Sequence, residues 1–364
     1  MNLLFLNWRD QKNPRSGGAE VVTEETIKRL VLRGHNVTLF STMFPGAAKT
    51  EVINGYTVIR HGREYTVHFW ALVYWFKTFK NQKFDVVIDQ IHGIPFFTPL
   101  YVRGPKVVSF IHEVAREIWL KMYRFPIGWL GFHLEPLFFK AYKNSSFITV
   151  SNATKRDLMN VGIKPELINI IPEAVTTTPL SAIPTKETIP TILFVGRVAR
   201  MKGVGDLIEA NLIAKQSIPD LRLWIVGGGD TYKAELESQY KNESNITFFG
   251  HVSETEKNNL YARAHLLVSA SIKEGFGLVV IEAAAHGTPS VVYNVDGFNE
   301  AVIHNKTGVL TDTNPHTLAN GVVSLFNDKI KYTELQKNAL EHSRSFNFEN
   351  TTNSFEKYLN NITK

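Results

Sequence analysis

The sequence predicts an α/β fold of two doubly wound domains, each built on a parallel sheet. Short apolar runs rich in β-branched and aromatic residues alternate with longer amphipathic stretches along the 364 residues. This alternation is typical of strands and helices arranged around a parallel sheet. A proline-rich stretch near the middle interrupts the alternation, and the same pattern then begins again. The repeat of the pattern on both sides of that stretch predicts two domains.

The first half of the chain contains five apolar runs that predict strands, because each is too short for a helix. These runs are 3–6, 37–40, 85–89, 107–111 and 147–150. A helical pattern over 19–33 follows a glycine turn, and Gly34 is a stop signal for that helix. We assign residues 1–172 to the first domain.

Residues 173–190 are predicted to connect the two domains, since prolines at high density disfavour helix and sheet interiors. The prolines concerned are Pro172, Pro179, Pro184 and Pro190. The second domain, residues 191–345, is predicted to contain a helix over 203–214 and strands over 191–195, 221–226, 246–249, 266–269 and 290–293. The tail, residues 346–364, has a helical pattern, and we expect it to pack back on the first domain.

Composition narrows the class of protein. Hydrophobic residues make up 44% and charged residues 20%, which is typical of a globular protein. The absence of cysteine excludes disulfides and thiolate metal sites and is compatible with a reducing compartment. The first apolar run is too short for a signal peptide, and no run is long enough to span a membrane, so we expect a cytoplasmic protein. A net charge of +6 suits phosphorylated ligands or anionic lipid, while no motif favours nucleic acid.

The segment from Gly196 to Gly203 places two cations between a predicted strand and a predicted helix. The guanidinium of Arg197 offers a planar fork to phosphate oxygens, and Lys202 supplies a compact charge. Backbone N–H groups at the start of the helix would add to this anion site. The segment therefore predicts a diphosphate site that needs no metal ion, although a basic turn that caps a helix has the same composition.

Two glutamates eight positions apart, Glu274 and Glu282, frame the second candidate segment. Glycines between them permit tight turns and close approach of the backbone to a ligand. The residues between Glu274 and the predicted helix are Gly275, Phe276, Gly277 and Leu278, whose N–H groups we expect at the start of that helix. Glu282 lies in an otherwise apolar stretch and therefore needs a partner. We expect both carboxylates to bind hydroxyl groups of a sugar and a ribose; a helix cap and a surface charge are the alternative.

Two further candidates lie in the first domain. Gly17 and Gly18 follow the first predicted strand, and their amides could approach the same diphosphate; a plain tight turn is the alternative. Glu20 is expected to be a charge in the first turn of the helix. His112 and Glu113 follow a strand at its carboxyl end, where doubly wound domains keep functional groups. No histidines and carboxylates have metal-ligand spacing, so we predict no metal site.

Two stretches, 63–83 and 119–143, combine aromatic and basic residues. Apolar faces edged with cations are typical of helices that lie in a membrane interface. The alternative is that these aromatic residues pack inside the first domain or line an acceptor groove.

Together these motifs resemble the family-four glycosyltransferases, which are retaining enzymes of the GT-B fold, with two facing Rossmann-like domains and a cleft between them. The resemblance spans nearly the whole chain. It implies that Arg197 and Lys202 bind the donor diphosphate, that Glu274 contacts donor-sugar hydroxyls, and that Glu282 contacts the ribose. It implies that His112 takes part in catalysis with these residues. The family's glycine turns map onto Gly17-Gly18, Gly196 and Gly227.

The resemblance further implies a hexose transferred from a nucleotide-diphosphate sugar, a UDP- or GDP-sugar, to a glycan or lipid-linked acceptor. Such enzymes need no metal and no cofactor, and closure of the domains would bring the first domain over the donor. The chain departs from the family at Glu173, where an Asn-Gly pair often begins, and in the turn at Gly227. Glu113 and Arg116 are expected to bind the acceptor, and Arg116 would suit an acidic one. A silent nucleotide-sugar-binding protein, an epimerase or a phosphorylase-like enzyme remain the alternatives.

Overall fold

The computed structural model describes the backbone of residues 1–364 and every side chain except that of Met122. The chain divides into two compact units, Met1–Ala174 with Asn347–Lys364, and Val175–Phe346. Each unit contains one largely parallel sheet with helices, which confirms the predicted fold class of two Rossmann-like α/β domains. The irregular stretch 173–190, predicted as a connector, belongs to the second unit from Val175 onward.

The first unit is built on an eight-stranded sheet in the order β3-β4-β2-β1-β5-β6-β7-β8. Its elements are β1 Asn2–Leu6, α1 Gly18–Leu32, β2 Asn36–Ser41, β3 Thr50–Ile53, β4 Tyr56–Arg60, α2 Val67–Lys77, β5 Val86–Ile91, α3 Thr98–Tyr101, β6 Lys106–Ile111, α4 Glu117–Met122, α5 Ile127–Phe138, β7 Ser146–Thr149, α6 Asn152–Asn160 and β8 Ile168–Ile170. The hairpin β3–β4 is antiparallel, and the other pairs are parallel. The central strands β1 and β5 are buried along almost their whole length because helices cover both faces of the sheet.

The second unit is built on a six-stranded parallel sheet in the order β11-β10-β9-β12-β13-β14. Its elements are β9 Thr191–Val195, α7 Val204–Lys215, β10 Arg222–Val226, α8 Thr231–Gln239, β11 Ile246–Gly250, α9 Glu254–Arg263, β12 Leu266–Ser269, α10 Leu278–Ala285, β13 Ser290–Tyr293, α11 Phe298–Ala301, β14 Gly308–Thr311, α12 Pro315–Asn327 and α13 Lys329–Ser343. The core includes Phe194, Leu207 and Ile225, which join the sheet to its helices.

The last helix, α14 Phe348–Thr363, belongs to the first unit. Phe355 is buried and its ring lies 6.2 Å from the ring of Phe5 in the sheet. Arg33, which follows α1, forms ion pairs with Glu349 and Glu356 of α14. The C-terminal helix therefore packs on the sheet and α1 of the first unit, although the whole of the second unit precedes it in the chain.

Four strands lie outside the sequence prediction, namely β3, β4, β8 and β14. Three of them, β3, β8 and β14, are edge strands of three or four residues, too short to give a clear apolar run. Among the described residues, none of the helices is both long enough and apolar enough to cross a lipid bilayer.

Candidate active site

The basic segment of the second unit follows β9 at its carboxyl end, as predicted. Arg197 is exposed, and its Nη2 atom lies 3.9 Å from the sulfur of Met201. Gly203 ends the segment with a φ of 62° and begins α7. A Cβ atom at Gly203 would lie 2.0 Å from the carbonyl oxygen of Ala270, just after β12. Glycine is therefore required here by backbone packing, and this packing fixes the neighbouring Lys202.

Lys202 and Glu274 form an ion pair, with 2.7 Å between Nζ and Oε1. Their side chains are 21% and 15% exposed. The two residues lie beyond β9 and β12, which are neighbours in the sheet. Because the carboxyl ends of parallel strands meet at one edge, the topology itself brings this cation and this carboxylate together. The structure thus joins one residue from each of the two motifs that the sequence singled out.

The loop from Glu274 to α10 ends in a glycine with positive φ. Gly277 has a φ of 90° and directly precedes Leu278, the first residue of α10. A Cβ atom at Gly277 would lie 2.8 Å from the ring of Phe298. The neighbouring Phe276 is buried, and its ring lies 5.5 Å from that of Phe346. Gly275 and Phe276 thus lead into the helix where the sequence predicted its start.

Glu282 lies within α10 with a side chain that is 14% exposed. Its carboxylate accepts a hydrogen bond from the Tyr261 hydroxyl at 2.8 Å and contacts the Lys257 ammonium at 3.3 Å. Burial raises the pKa of Glu282, against the opposing effect of Lys257 and Tyr261. These two residues of α9 are the partners that a carboxylate in apolar surroundings requires. Glu274 and Glu282 therefore have separate partners, one in the β9 loop and one in α9.

The glycine turns after β9 and β10 touch each other. Gly196 and Gly227 have φ values of 153° and 143°, and a Cβ atom at Gly227 would lie 1.9 Å from the carbonyl oxygen of Gly196. The amide of Val198 donates to the carbonyl of Gly228 at 2.8 Å. Gly196 and Gly227, both predicted at the donor site, thus lie together at the same edge of the sheet.

In the first unit, Gly17 directly precedes α1 and Gly18 is its first residue. The Gly17 amide donates to Glu20 at 2.7 Å, and the other oxygen of that carboxylate accepts from the Trp8 indole at 2.9 Å. Glu20 lies in the first turn of α1, as predicted, and it is buried. Because the Gly17 N–H has this internal partner, Gly18 is the residue of the pair whose amide suits a ligand.

His112 follows β6 and is buried. Its Nδ1 atom lies 2.5 Å from Oε1 of Glu173, which follows β8. Burial opposes protonation of the ring, but the carboxylates of Glu173, Glu20 and Glu113 together outweigh burial and raise the pKa of His112 above its ordinary value of 6.5. The Nε2 atom is buried and has no hydrogen-bond partner among the described residues.

The two predicted acceptor residues lie next to His112. Glu113 is half-buried. Arg116 has a φ of 36°, and its side chain donates to the carbonyl of Phe132 at 2.9 Å. Its guanidinium lies 4.3 Å from the centre of the Phe132 ring, on α5. Arg116 therefore anchors the loop to α5.

Sequence reasoning missed the partners of the predicted residues. Glu173 pairs with His112, Lys257 and Tyr261 pair with Glu282, and Gly297 supports the Glu274 loop. A Cβ atom at Gly297 would lie 2.4 Å from the carbonyl oxygen of Glu274. Of these partner residues, the sequence drew attention only to Glu173, at the position where the family often has an Asn-Gly pair. Within the described residues no group of three histidine, aspartate or glutamate side chains has a geometry that could hold a metal ion.

Comparison with known proteins identifies the class of both units. The family model for glycosyl transferases group 1 matches residues 180–342, and the model for glycosyltransferase family 4 matches residues 16–178. A D-inositol 3-phosphate glycosyltransferase of Corynebacterium glutamicum is 33% identical over 167 residues, which are 43% of this chain and 40% of that protein. The chain thus matches less than half the length of this curated relative.

Solved structures match over nearly the whole chain. A sucrose-phosphate synthase from Thermosynechococcus elongatus has a TM-score of 0.81 at 20% identity, covering 99% of this chain and 98% of that one. Anabaena HepE in complex with UDP and glucose has a TM-score of 0.76 at 17% identity, covering 99% and 100%. At these identities the likeness shows the fold alone, and that fold is the one shared by these glycosyltransferases.

Proposed function

The chain belongs to the family 4-type glycosyltransferases with the GT-B fold, and we propose that it transfers a hexose from a nucleotide-diphosphate sugar with retention of configuration. The acceptor in this proposal is a hydroxyl group of a glycan or a lipid-linked glycan, in polysaccharide or glycoconjugate biosynthesis. The neighbour that binds UDP and glucose supports a nucleotide-sugar donor.

The observation that carries the proposal is the ion pair between Lys202 and Glu274. An ammonium suits the diphosphate of the donor, and a carboxylate suits the hydroxyl groups of the sugar attached to it. Because the two side chains are adjacent, they can contact neighbouring parts of one ligand in which phosphate and sugar are directly bonded. Arg197, exposed at the same edge of the sheet, adds a second cation for the diphosphate.

In this mechanism the leaving diphosphate is stabilised by fixed cations rather than by a metal ion. Arg197 and Lys202 bear its charge as the bond from the sugar to the phosphate breaks. The acceptor hydroxyl attacks the sugar from the face that the diphosphate leaves, which retains the configuration. The released phosphate oxygen takes the proton of that hydroxyl.

The test begins with a thermal-shift panel of UDP, GDP, ADP and their sugar conjugates, with and without EDTA. Selective binding to the folded protein raises the melting temperature for one base, and we expect EDTA to leave that shift unchanged. The donor found this way is then used to measure release of the nucleoside diphosphate. Lys202→Ala should lower turnover about 100- to 1000-fold, while Lys241→Ala, an exposed lysine of the same unit, serves as the matched control.

The alternatives give different results in the same assays. A silent nucleotide-sugar-binding protein shows the thermal shift but releases no nucleoside diphosphate with any acceptor. An epimerase converts the donor sugar without releasing the diphosphate. Normal turnover in Lys202→Ala contradicts the assignment of the donor site.

The proposal includes contact with a membrane surface through a segment of the first unit, residues 117–143. Large apolar side chains of this segment are exposed to between 37% and 83%, namely Leu120, Tyr123, Phe125, Ile127, Trp129, Leu130, Leu134 and Leu137. The exposed cations Lys121, Arg124, Lys140 and Lys143 accompany them. Apolar side chains bordered by cations suit an anionic lipid surface, which supports an acceptor carried on lipid and a location at the cytoplasmic membrane face.

Flotation with vesicles tests this contact. We expect the protein to float with vesicles that contain phosphatidylglycerol and to float less in high salt. The double variant Phe125→Ser and Trp129→Ser should lose most of the bound fraction. Leu32→Ser, which removes an apolar side chain that is 78% exposed elsewhere in the first unit, is the matched control. Equal flotation of all three proteins contradicts the contact.

A further inference from the structure

Buried polar atoms without partners gather at the carboxyl ends of three neighbouring strands in the first unit. Asn7 follows β1, His92 follows β5 and His112 follows β6. Among the described residues, Oδ1 of Asn7 and Nε2 of both histidines have no hydrogen-bond partner. A buried polar group without a partner costs about 1–3 kcal/mol. Three such groups at one edge indicate a site that a polar ligand completes.

Ring stacking fixes the orientation of His112 in this site. The rings of Trp8 and His92 lie 5.3 Å apart with 14° between their planes. The rings of His92 and His112 lie 5.7 Å apart with 23° between their planes. Phe110 lies 4.6 Å from the His112 ring as well. The neighbouring rings thus fix the orientation of the His112 imidazole. Its protonation depends on the polar groups that it contacts.

Glu173 is the polar partner of His112. The side chains of the two residues are 10% and 6% exposed, and 2.5 Å separates Nδ1 from the carboxylate oxygen. Since an ionised carboxylate only accepts hydrogen bonds, Nδ1 carries a proton. Nε2 is then the atom that changes state: it accepts in the neutral ring and donates in the imidazolium.

We propose that Glu173 is a positioning residue that holds His112 as an imidazolium, whose Nε2–H donates to a negatively charged oxygen of the substrate. This inference rests on the proposed function for the identity of the ligand but not for the state of His112. The carboxylate orients the ring and favours its cation, and the cation favours an oxygen that bears negative charge.

The charges around His112 support this state. The groups that act on it are Glu173 on the segment after β8, Glu20 on α1, Glu113 next in the chain and the ring of His92 at the end of β5. The three carboxylates raise the pKa of His112 against the effect of burial. Burial, with the neighbouring His112 and Arg9, lowers the pKa of His92 well below its ordinary value. The pKa values of the two stacked rings are therefore shifted in opposite directions, His112 towards the imidazolium and His92 towards the neutral ring.

Nuclear magnetic resonance titration of ¹⁵N-labelled histidine tests the state of His112 without an activity assay. We expect the wild-type pKa of His112 to lie above 6.5 and Glu173→Gln to lower it by about one unit or more. Glu166→Gln, which removes an exposed carboxylate from the same unit, should leave it unchanged. A wild-type pKa below 6.5 overturns the proposal even if Glu173→Gln folds poorly. If both proteins fold, equal pKa values of His112 in wild type and Glu173→Gln overturn it as well.

Turnover tests the link to the ligand. As pH rises, His112 loses its proton, so kcat should fall along an alkaline limb. In Glu173→Gln this limb should move to lower pH by the same amount as the pKa of His112. In Glu173→Asp, which retains a carboxylate, the limb should stay close to its wild-type pH. An unchanged profile in Glu173→Gln refutes the positioning role. If the wild type transfers no sugar from any donor, the proposed function fails, and the titration alone decides the role of Glu173.

Discussion

The buried ion pair of Arg60 and Asp10 predicts a large loss of stability in Arg60→Met. Both side chains are at most 1% exposed. The guanidinium binds the carboxylate through two bonds, Nε to Oδ2 at 2.6 Å and Nη2 to Oδ1 at 3.0 Å. Asp10 lies in the loop between β1 and α1, so this pair also holds the chain that leads to Gly17.

The magnitude follows from what remains around Asp10. Without the guanidinium, the carboxylate keeps the Ser41 hydroxyl at 2.7 Å and the Lys12 amide at 3.0 Å. Two neutral donors do not replace a buried cation. Removal of one partner from a buried ion pair costs about 3–5 kcal/mol, so we expect Arg60→Met to lower the free energy of unfolding of the first unit by that amount.

Urea unfolding followed by tryptophan fluorescence measures this loss. Five of the six tryptophans, Trp8, Trp70, Trp75, Trp119 and Trp129, belong to the first unit. In a Trp224→Phe background the fluorescence therefore reports the first unit alone, which avoids treating two units as one transition.

A double variant provides the control for Arg60→Met. Asp10→Asn in addition to Arg60→Met removes the stranded charge, so the double variant should be about 1–3 kcal/mol more stable than the sum of the two single losses. A loss below about 1 kcal/mol in Arg60→Met, which is the scale of an exposed pair, would refute the reasoning, as would strict additivity.

Three further predictions follow from single contacts. Gly227→Ala places a Cβ atom 1.9 Å from the Gly196 carbonyl and should destabilise the second unit by about 3 kcal/mol or more, whereas Gly228→Ala, with open space around it, should cost far less; amide exchange of β9 and β10 distinguishes them. Tyr261→Phe removes a 2.8 Å hydrogen bond to Glu282 and should cost about 1.5–3 kcal/mol, seen as faster exchange in α9 and α10. Because the pKa of His112 is raised in the folded protein, the stability that its protonation contributes is complete below pH 6.5 and is lost as pH rises through the folded pKa. Glu173→Gln should flatten this part of the curve of unfolding free energy against pH. An unchanged curve contradicts the pairing of His112 with Glu173.

The strands that could be predicted from the sequence are those buried on both faces of their sheet. Such strands, β1 and β9 among them, give continuous apolar runs that stand out from the sequence. The hairpin of β3 and β4 was missed although Asn54 and Gly55, with φ values of 48° and 85°, form the Asn-Gly turn that favours hairpins. The edge strands β8 and β14 were missed for a different reason, since short edge strands need no continuous apolar run.

The candidate site was predictable one residue at a time. A motif such as Glu274 to Glu282 is a local pattern, so it identifies residues whose chemistry and spacing are unusual in one segment. Glu282 was expected to need a partner because its neighbours are apolar, and the structure supplies Tyr261 and Lys257. Nothing local to α9 marked these two residues, because a tyrosine and a lysine are ordinary on a helix.

Strand order explains which contacts between distant residues can be predicted from a sequence. Lys202 and Glu274 are 72 positions apart, yet they follow β9 and β12, which are adjacent in the sheet. The strand order expected for a doubly wound sheet would therefore have predicted that Lys202 and Glu274 lie close together. His112 and Glu173 are 61 positions apart and follow β6 and β8, which β7 separates. Their contact depends on the path of the chain after β8, which no strand order fixes. Glu173 is also where the family resemblance led us to expect an Asn-Gly pair, so such a difference at the end of a strand marks a position at which to look for a new partner of a candidate site residue.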